Sequence, residues 1–599
     1  MSIRLSNEED TVRFSNSPNV PLNEDKNLNM QEEKYKTKTA LIILMIFIIA
    51  SIIIIFILNS EDENEERKTS KNIIIAVYEV KDVNYNISFF NIKYKNVNDF
   101  VESMKLNDEI INNTQHYSFN STGNYTLEIK FKIPLISTEE MFRYCYNLLE
   151  IDLTELNTED IENMTNMFSG CSNLKLVKAD NINAPKLKKI DGMFSGCISL
   201  TSIDLTSFKG NQIEDISRLF EQCSNLANIK INNFDSLKIK NMYFTFARCT
   251  SLTSLDLNNF KTPNVINMYG LFYLCTSLEN ININNLDTSQ VTTMGNMFYR
   301  CNSLTSLNLN NFITSNVEKM NQMFAECTSL ISLNLKSFDT RKVDEMHFMF
   351  MRCYNLVSLD LSSFITSNAI NMGGLFQECF SLSFLDISNF NTSKARNIIY
   401  MFGDCKSLTS LKIDHFDTSQ AETMYGMFCN CRYLKEINVD NFNTSNADNM
   451  AYMFKGCNNL TSLNLKNFNT SKVTTMTKIF EGNTLLTSID LSNFDTSNVN
   501  DLSYMFNNCT SLTSINLKNF NTQSIQYISY MFNNCTSLRY IDISSFKLTN
   551  ETEYINVFNN TADEGSIYYN SSNIPNEFIE LFPLNWELND VDNIFNELF

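Results

Sequence analysis

A phenylalanine recurs every 26 residues in this chain, seventeen times, from Phe142 to Phe558. A cysteine stands three residues after it in fifteen of the seventeen copies, and Asn483 and Thr561 replace it in the other two. Sixteen intervals without an insertion or deletion require that each copy superimpose on the next. A period of about 20–29 residues, with leucines in an L-x-x-L-x-L arrangement, is typical of a stacked solenoid.

The unit that begins at Phe272 contains two different periods. Ile281 and Ile283 alternate with asparagines, which is the pattern of a strand with one buried face. Apolar residues then recur at i, i+3, i+7 and i+10, which predicts a short helix; these are Val291, Met294, Phe298 and Cys301. The sequence therefore predicts a leucine-rich-repeat-like stack of about 17 strand–turn–short-helix units.

The apolar columns predict the core of this stack. A unit cannot bury its apolar side alone, so neighbouring units must cover it. The residues that we expect to form the core columns are, for example, Phe272, Cys275, Leu278, Phe298, Cys301, Phe324 and Cys327.

Residues 40–58 contain no charge and consist almost entirely of Ile, Leu, Phe, Met and Ala. Such a run is long enough to span a bilayer as a helix. Lysines precede it and acidic residues follow it, which predicts a cytoplasmic amino terminus. We expect a signal-anchor helix in the plasma membrane at residues 40–59. A cleaved signal peptide is the alternative, but no small-residue cleavage site follows.

The rest of the chain divides by composition and period. We expect a disordered cytoplasmic tail at 1–39 and, outside the cell, a stalk, a small β-rich cap domain, the solenoid and a carboxyl-terminal cap that includes Trp586 and Phe595. The predicted bounds of these four parts are 60–72, 73–134, 135–561 and 562–599. The β-rich segment could instead be a separate ligand-binding module.

The charge and the missing motifs exclude several classes of function. There are 47 basic and 67 acidic residues, a net charge of −20, which disfavours a nucleic acid partner because phosphates need a basic surface. The motifs of nucleotide-binding loops, serine hydrolases and zinc peptidases do not occur. We expect neither catalysis nor a cofactor.

The repeats resemble a named family. Segments such as MFYRCNSLTSLNLNNFITSNVEKM (297–320) and MFKGCNNLTSLNLKNFNTSKVTTM (453–476) are similar to the 26-residue repeat of BspA-like leucine-rich-repeat surface proteins. The resemblance covers about residues 141–561. It implies a solenoid on a cell surface, for which adhesion is the usual proposal. Many bacterial relatives are lipoproteins or wall-anchored, whereas this chain has an internal anchor segment.

The cysteine column has three interpretations. Buried thiols are favoured, because the column lies beside Met and Phe, where free cysteine acts as a small apolar side chain. Neighbouring units could also bring α-carbons within the range of a disulfide. A zinc stripe is disfavoured, since zinc needs clustered ligands in a tetrahedron.

The outward side of the strand segments carries the candidate binding residues. A polar column there could bind a ligand or calcium, although lysines interrupt it and a solvated face is the simpler interpretation. Two aromatic residues are potential anchors of an interface. The candidates are Asp256, Asn282, Asn308, Asn334, Asp360, Phe384, Asp386 and Tyr540. A separate threonine column, which includes Thr288 and Thr340, indicates turn chemistry or, less simply, an ice-binding face.

These observations lead to one main hypothesis of function. We expect a single-pass surface protein whose extracellular solenoid mediates adhesion or molecular recognition of a protein or glycan ligand. A receptor that passes a signal through its cytoplasmic tail and a passive surface-coat protein are the alternatives.

Overall fold

The computed structural model describes residues 71–592, apart from 92–95, 181, 232–233 and 235. The predicted cytoplasmic tail and anchor segment, all but two residues of the predicted stalk, and Phe595 lie outside the described residues. Within the described residues, no helix combines the length and the apolar character that a bilayer crossing requires.

The amino-terminal segment forms a sheet that continues into the solenoid. Strand β1 pairs antiparallel with β6 and also with β7, the first strand of the repeats, which in turn pairs parallel with β8. The strand order is therefore β4-β3-β6-β1-β7-β8. The elements are β1 (Ile73–Val80), β2 (Ile87–Ser88), a 3₁₀ helix (Val97–Asp99), β3 (Val101–Leu106), β4 (Glu109–Ile111), β5 (His116–Tyr117), β6 (Gly123–Phe131), β7 (Leu148–Asp152) and β8 (Leu176–Lys178).

The predicted strands of the repeats are confirmed in part, since several coils, such as those of Asn308 and Asp386, contain no regular strand. Each strand that forms is short and pairs parallel with the strand one coil away, so that Leu255 lies beside Ile281 and Leu333 beside Leu359. The middle residue points into the core and its two neighbours point outward. The strands are β9 (Ser202–Asp204), β10 (Asn228–Lys230), β11 (Ser254–Asp256), β12 (Asn280–Asn282), β13 (Ser332–Asn334), β14 (Ser358–Asp360), β15 (Ser514–Asn516) and β16 (Tyr540–Asp542).

The predicted helix of each unit is wrong. The segment around Phe298 is instead a run of tight turns, in which Met297, Tyr299 and Cys301 donate their N–H groups to carbonyls three residues earlier. The residues between them donate forward to the next coil, as Phe298 N does to Met323 O at 2.9 Å. Each turn segment is thus hydrogen-bonded to its neighbours like a strand.

Backbone conformation explains why no helix forms. In every coil the residues two before and two after the core phenylalanine have positive φ, as Asn296 (55°) and Arg300 (58°) do beside Phe298. A left-handed residue interrupts a right-handed helix. Because each coil has two left-handed residues, every turn closes after three or four residues. The inward side chains therefore recur at a spacing similar to that of a helix.

The core columns are buried as predicted, and the chain is a solenoid of about sixteen turns with a repeat of 26 residues. The rings of the phenylalanine column stack at all sixteen steps, with centroids 5.5 Å apart between Phe142 and Phe168 and 6.2 Å between Phe454 and Phe480. Phe272, Cys275, Leu278, Phe298, Cys301, Phe324 and Cys327 are each at most 1% exposed.

All sixteen cysteines are free and buried, which is the favoured interpretation from the sequence. From Cys171 onward, each column thiol donates a hydrogen bond to the core-phenylalanine carbonyl of the preceding coil, as Cys301 Sγ does to Phe272 O at 3.2 Å. Where Asn483 replaces the cysteine, its Nδ2 donates to the equivalent carbonyl, Phe454 O, at 3.0 Å. The column therefore supplies a buried hydrogen-bond donor, and the amide at 483 preserves that donor.

The threonine column is also buried and connects successive coils. Thr340 Oγ1 donates to Ile365 O at 2.9 Å and accepts from Ile365 N at 2.8 Å. Thr288 makes the same two bonds to Ile313. Because these hydroxyls are inside, the column cannot be an ice-binding face.

The carboxyl-terminal segment covers the last coil. Strand β16 continues into β17 (Ser566–Tyr569) and β18 (Glu587–Asp590), both parallel to it. A 3₁₀ helix (Ser571–Asn573) and the short α-helix α1 (Asn576–Ile579) lie between them. Trp586 is 5% exposed and its Nε1 donates to Ala562 O at 2.8 Å, so its indole closes the apolar end of the stack.

Candidate functional site

The structure places the predicted polar residues in one column on the outward side of the strand ladder. Asp256 lies beside Asn282 in β11 and β12, and Asn334 lies beside Asp360 in β13 and β14. Asn282 is half-buried. The exposed members of this column are Asp256, Asn308, Asn334, Asp360 and Asp386.

Most of these side chains close turns. Asp256, Asp360 and Asp386 each accept the N–H of the residue two positions later, at 2.9–3.0 Å. Hydrogen bonds from the Ser362 hydroxyl and backbone lower the pKa of Asp360, and those from the Ser388 backbone and hydroxyl lower the pKa of Asp386. Each carboxylate therefore has a local structural role.

Lysines that interrupt the column neutralise it. Lys178 Nζ lies 3.4 Å from Asp152 and Lys230 Nζ lies 3.2 Å from Asp204, in each case one coil apart. Across the described part of the chain, no group of three or more His, Cys, Asp or Glu side chains could hold a metal ion.

A depression on the strand side brings three of the predicted residues together. Asn334, Asp360 and Phe384 line it. Its volume is about 620 Å³, and its other lining residues are Ser332, Leu333, Lys336, Val357, Ser358, Leu359 and Ser383. Lys336 Nζ lies 3.5 Å from Asp360, so the two charges of the depression offset each other.

The depression is where the chain departs from its own repeat. Phe384 occupies a column that holds serine in most coils, and Ile331 and Val357 occupy a column in which threonine predominates. These three side chains are 66%, 52% and 52% exposed. Ile331 and Val357 are adjacent, since Val357 N donates to Ile331 O at 3.1 Å. Ile331 and Val357 are thus neighbours on the exposed face, and Val357 lines the depression together with Phe384.

The other candidates lie elsewhere. Asp256, Asn282 and Asn308 belong to earlier coils, and Asp386 does not line the depression. Tyr540 is half-buried in β16, with its ring 5.5 Å from that of Tyr568. It therefore contacts the carboxyl-terminal cap and is separate from the depression.

Sequence reasoning missed a second set of aromatic residues, on the turn segments. Phe244 makes edge contacts with Tyr243, Tyr269 and Tyr273 at 4.4–5.7 Å, and Tyr273 stacks on Tyr299 at 5.0 Å. All five side chains are half-buried. A helix in this segment does not predict that the residues flanking the core phenylalanine form a surface of their own, so these aromatic residues were not predicted as a group.

Comparison with known families identifies the repeats. The model of the family described as "Mycoplasma protein of unknown function, DUF285" matches residues 136–254, 240–358, 351–463 and 449–568. These matches together span well over half of the chain, so the chain belongs to the DUF285 family. It is a leucine-rich-repeat-like repeat protein. No curated protein matches it.

Several solved structures are similar to the chain. A leucine-rich repeat protein from Bacteroides ovatus is 16% identical over 79% of this chain and 99% of that chain, with a TM-score of 0.31. The functional domain of InlJ from Listeria monocytogenes, whose description includes a cysteine ladder, is 15% identical over 62% of this chain and 69% of that chain, with a TM-score of 0.12. The structure of the TLR13–ssRNA13 complex is 14% identical over 67% of this chain and 58% of that chain, with a TM-score of 0.16.

Proposed function

We propose that this protein is a cell-surface recognition protein that binds a protein ligand at the depression around Phe384. The observation that carries this proposal is a run of exposed apolar side chains in three successive coils, Ile331, Val357 and Phe384, on a face that is mostly polar. Contiguous exposed apolar surface marks interaction sites, and an aromatic anchor in a shallow pocket is typical of binding hot spots. Solenoids of this kind are generally non-catalytic.

The apolar character of this run favours a protein over a glycan. An apolar side chain of the ligand would be buried against Phe384 and Val357, while Asn334 and Ser358 offer hydrogen-bonding groups at the rim. Since Lys336 and Asp360 offset each other, the depression has no preference for a charged segment.

The binding test uses the full chain in detergent micelles and a random dodecapeptide display library as the probe. Peptides selected on the native chain should bind about tenfold or more weakly to the Phe384→Ser variant, which restores the usual residue of that column. Ile266→Thr is the matched control: Ile266 is 47% exposed, outside the depression, and Thr292 holds the equivalent place one coil later. Equal binding to both variants would refute the proposal.

We also propose that residues 40–59 anchor the protein in the plasma membrane with the repeats outside the cell. The sequence of the repeats favours the BspA-like group of surface proteins. Trypsin added to intact cells should then degrade the repeats while a cytoplasmic marker survives. Protection of the repeats on intact cells, together with their digestion after lysis, would contradict a surface location.

A further inference from the structure

The turn segments of eleven consecutive coils form a second surface, which we call the turn ribbon. It comprises the residues from three before to five after each core phenylalanine, from Phe220 to Phe480. Its charged residues are Arg218, Glu221, Arg248, Arg300, Glu326, Arg352, Glu378, Asp404, Lys406, Arg432, Lys455, Lys478 and Glu481. Eight are basic and five are acidic, so the ribbon is net basic although the whole chain carries −20.

The same surface is rich in aromatic side chains. Arg300 and Lys406 lie over the rings of Tyr299 and Phe380, at 5.5 and 3.9 Å from the centroids. The outward aromatic residues of the ribbon are Tyr243, Phe244, Tyr269, Tyr273, Tyr299, Phe348, Tyr354, Phe380, Tyr400, Tyr425, Tyr433 and Tyr452. On the strand side, by contrast, Phe384 and Tyr540 are the two aromatic residues of a column in which serine predominates.

Some basic groups of the ribbon are already paired and others are available. Arg300 Nε lies 2.6 Å from Glu326, and Arg352 Nε lies 3.0 Å from Glu378. Arg248 and Arg432 are exposed and form no ion pair with any residue that the structure describes. A guanidinium presents donors in a fork that matches a carboxylate. The unpaired arginines therefore fit an anionic ligand that spans several coils.

The packing of the rings distinguishes between anionic polymers. Tyr273 stacks on Tyr299 at 5.0 Å with 12° between planes, and Tyr354 stacks on Phe380 at 4.7 Å with 7°. Each of these rings has one face covered by its partner, and Lys406 lies over the Phe380 ring, whereas binders of single-stranded nucleic acid use free faces on which bases stack. Ring edges and the hydroxyl of the exposed Tyr433 remain, and these suit the hydroxyl groups of a sugar.

We propose that the turn ribbon binds an acidic polysaccharide, an extended chain of carboxylate-bearing sugars that lies along successive coils. The carboxylates pair with the exposed arginines Arg248 and Arg432, and the sugar hydroxyls meet the polar edges of the tyrosines. This site is separate from the depression at Phe384, so either site can be lost without the other.

The test measures binding of the full chain, in detergent micelles, to polygalacturonate and to the same polymer after complete methyl esterification, which removes its charge. We expect binding to the acidic polymer only, weakened by added salt. The variant R248Q/R432Q should bind about fivefold or more weakly with a smaller salt dependence. The control K186Q/K240Q removes the same charge from lysines outside the ribbon, which pair with Asp160 and Glu214, and should bind as the native chain does.

Three results would overturn the proposal: equal binding to the esterified polymer, equal weakening by the control variant, or no binding to polygalacturonate. Tighter binding to a single-stranded thymidine oligomer than to polygalacturonate would also overturn it, in favour of a nucleic acid. The Phe384→Ser variant should bind polygalacturonate normally, which separates this outcome from that of the dodecapeptide experiment. Equal melting temperatures of all variants confirm that each is folded.

Discussion

At the scale of single residues, the left-handed positions are the most unusual feature of this protein. Most of them are not glycine, although a left-handed conformation costs other residues about 1–2 kcal/mol. They persist because, in every coil but the last, the N–H of each such residue donates to the next coil, as Arg300 N does to Ala325 O at 2.9 Å. Large side chains at these positions lie over the following coil, so Phe244 precedes Gly270 and Tyr400 precedes Gly426.

Gly270 tests this arrangement. A Cβ at Gly270 would lie 2.3 Å from the Phe244 ring, and its φ of 63° disfavours alanine. Gly270→Ala should lower the local opening free energy, measured by amide hydrogen exchange, by about 2–4 kcal/mol. The double variant Phe244→Ala/Gly270→Ala should recover the part of this loss in opening free energy that the steric clash causes. If the effects of the two substitutions simply add, the ring is not what excludes the side chain.

The cysteine column predicts a dependence of stability on pH. Burial raises the pKa of Cys275 and of Cys327 to about 12, against about 8.5 for a thiol in an unfolded chain. The contribution of these buried thiols to the free energy of unfolding is therefore complete below about pH 8.5 and is lost as the pH rises towards 12. Each such thiol removes about 1.4 kcal/mol per pH unit in that window. Urea unfolding should give constant stability from pH 6 to 8 and a steep decline above pH 9; constant stability to pH 11 would contradict it.

At the scale of the elements, the strands and the core could be predicted from the sequence and the turn segments could not. The strand pattern at Ile281 and Ile283 has period two, which only a strand produces. The spacing of Val291, Met294, Phe298 and Cys301 fits a helix and a run of three- and four-residue turns equally well. A signal was present: asparagine or glycine stands two residues after the core phenylalanine in many coils, for example at Asn508 and Gly456, and both tolerate positive φ.

The candidate site was predicted in part for a similar reason. Phe384 stood out as an aromatic residue on the outward strand face, but period alone could not show that it lines a depression with Val357 or that Asp256 has a role in a turn. These facts depend on which columns neighbour one another and on local hydrogen bonds such as the one from Asn258 N to Asp256.

The threonine connections give a prediction at this scale. Thr340→Val keeps the shape of the side chain but leaves the N–H and the carbonyl of Ile365 without this partner. It should destabilise the coil by about 1–3 kcal/mol, whereas Thr340→Ser keeps the hydroxyl and should cost less. Hydrogen exchange at the Ile365 amide provides the measurement. A smaller effect for valine than for serine would show that packing, and not the hydrogen bonds, decides the residue at this position.

At the scale of the whole molecule, the same contacts recur from coil to coil. Each coil contributes a stacked phenylalanine, and most also contribute a buried thiol and a buried threonine, while the exposed positions vary. Because a coil is stabilised mainly by its neighbours, local departures such as Phe384 and Arg248 can be accommodated without a change in the fold. This explains how a regular core can present two different surfaces, the depression on the strand side and the turn ribbon.

The fold requires that successive coils stack with their cysteine sides inward, and the accessibility of the thiols measures whether they do. The native full chain is treated with N-ethylmaleimide at pH 7.5 without reductant, and the modified peptides are counted by mass spectrometry. The structure predicts that the fifteen column cysteines remain unmodified in the native protein and that all sixteen cysteines react in urea. Modification of the native column at the rate of a free thiol, or recovery of its peptides as disulfides, would contradict it.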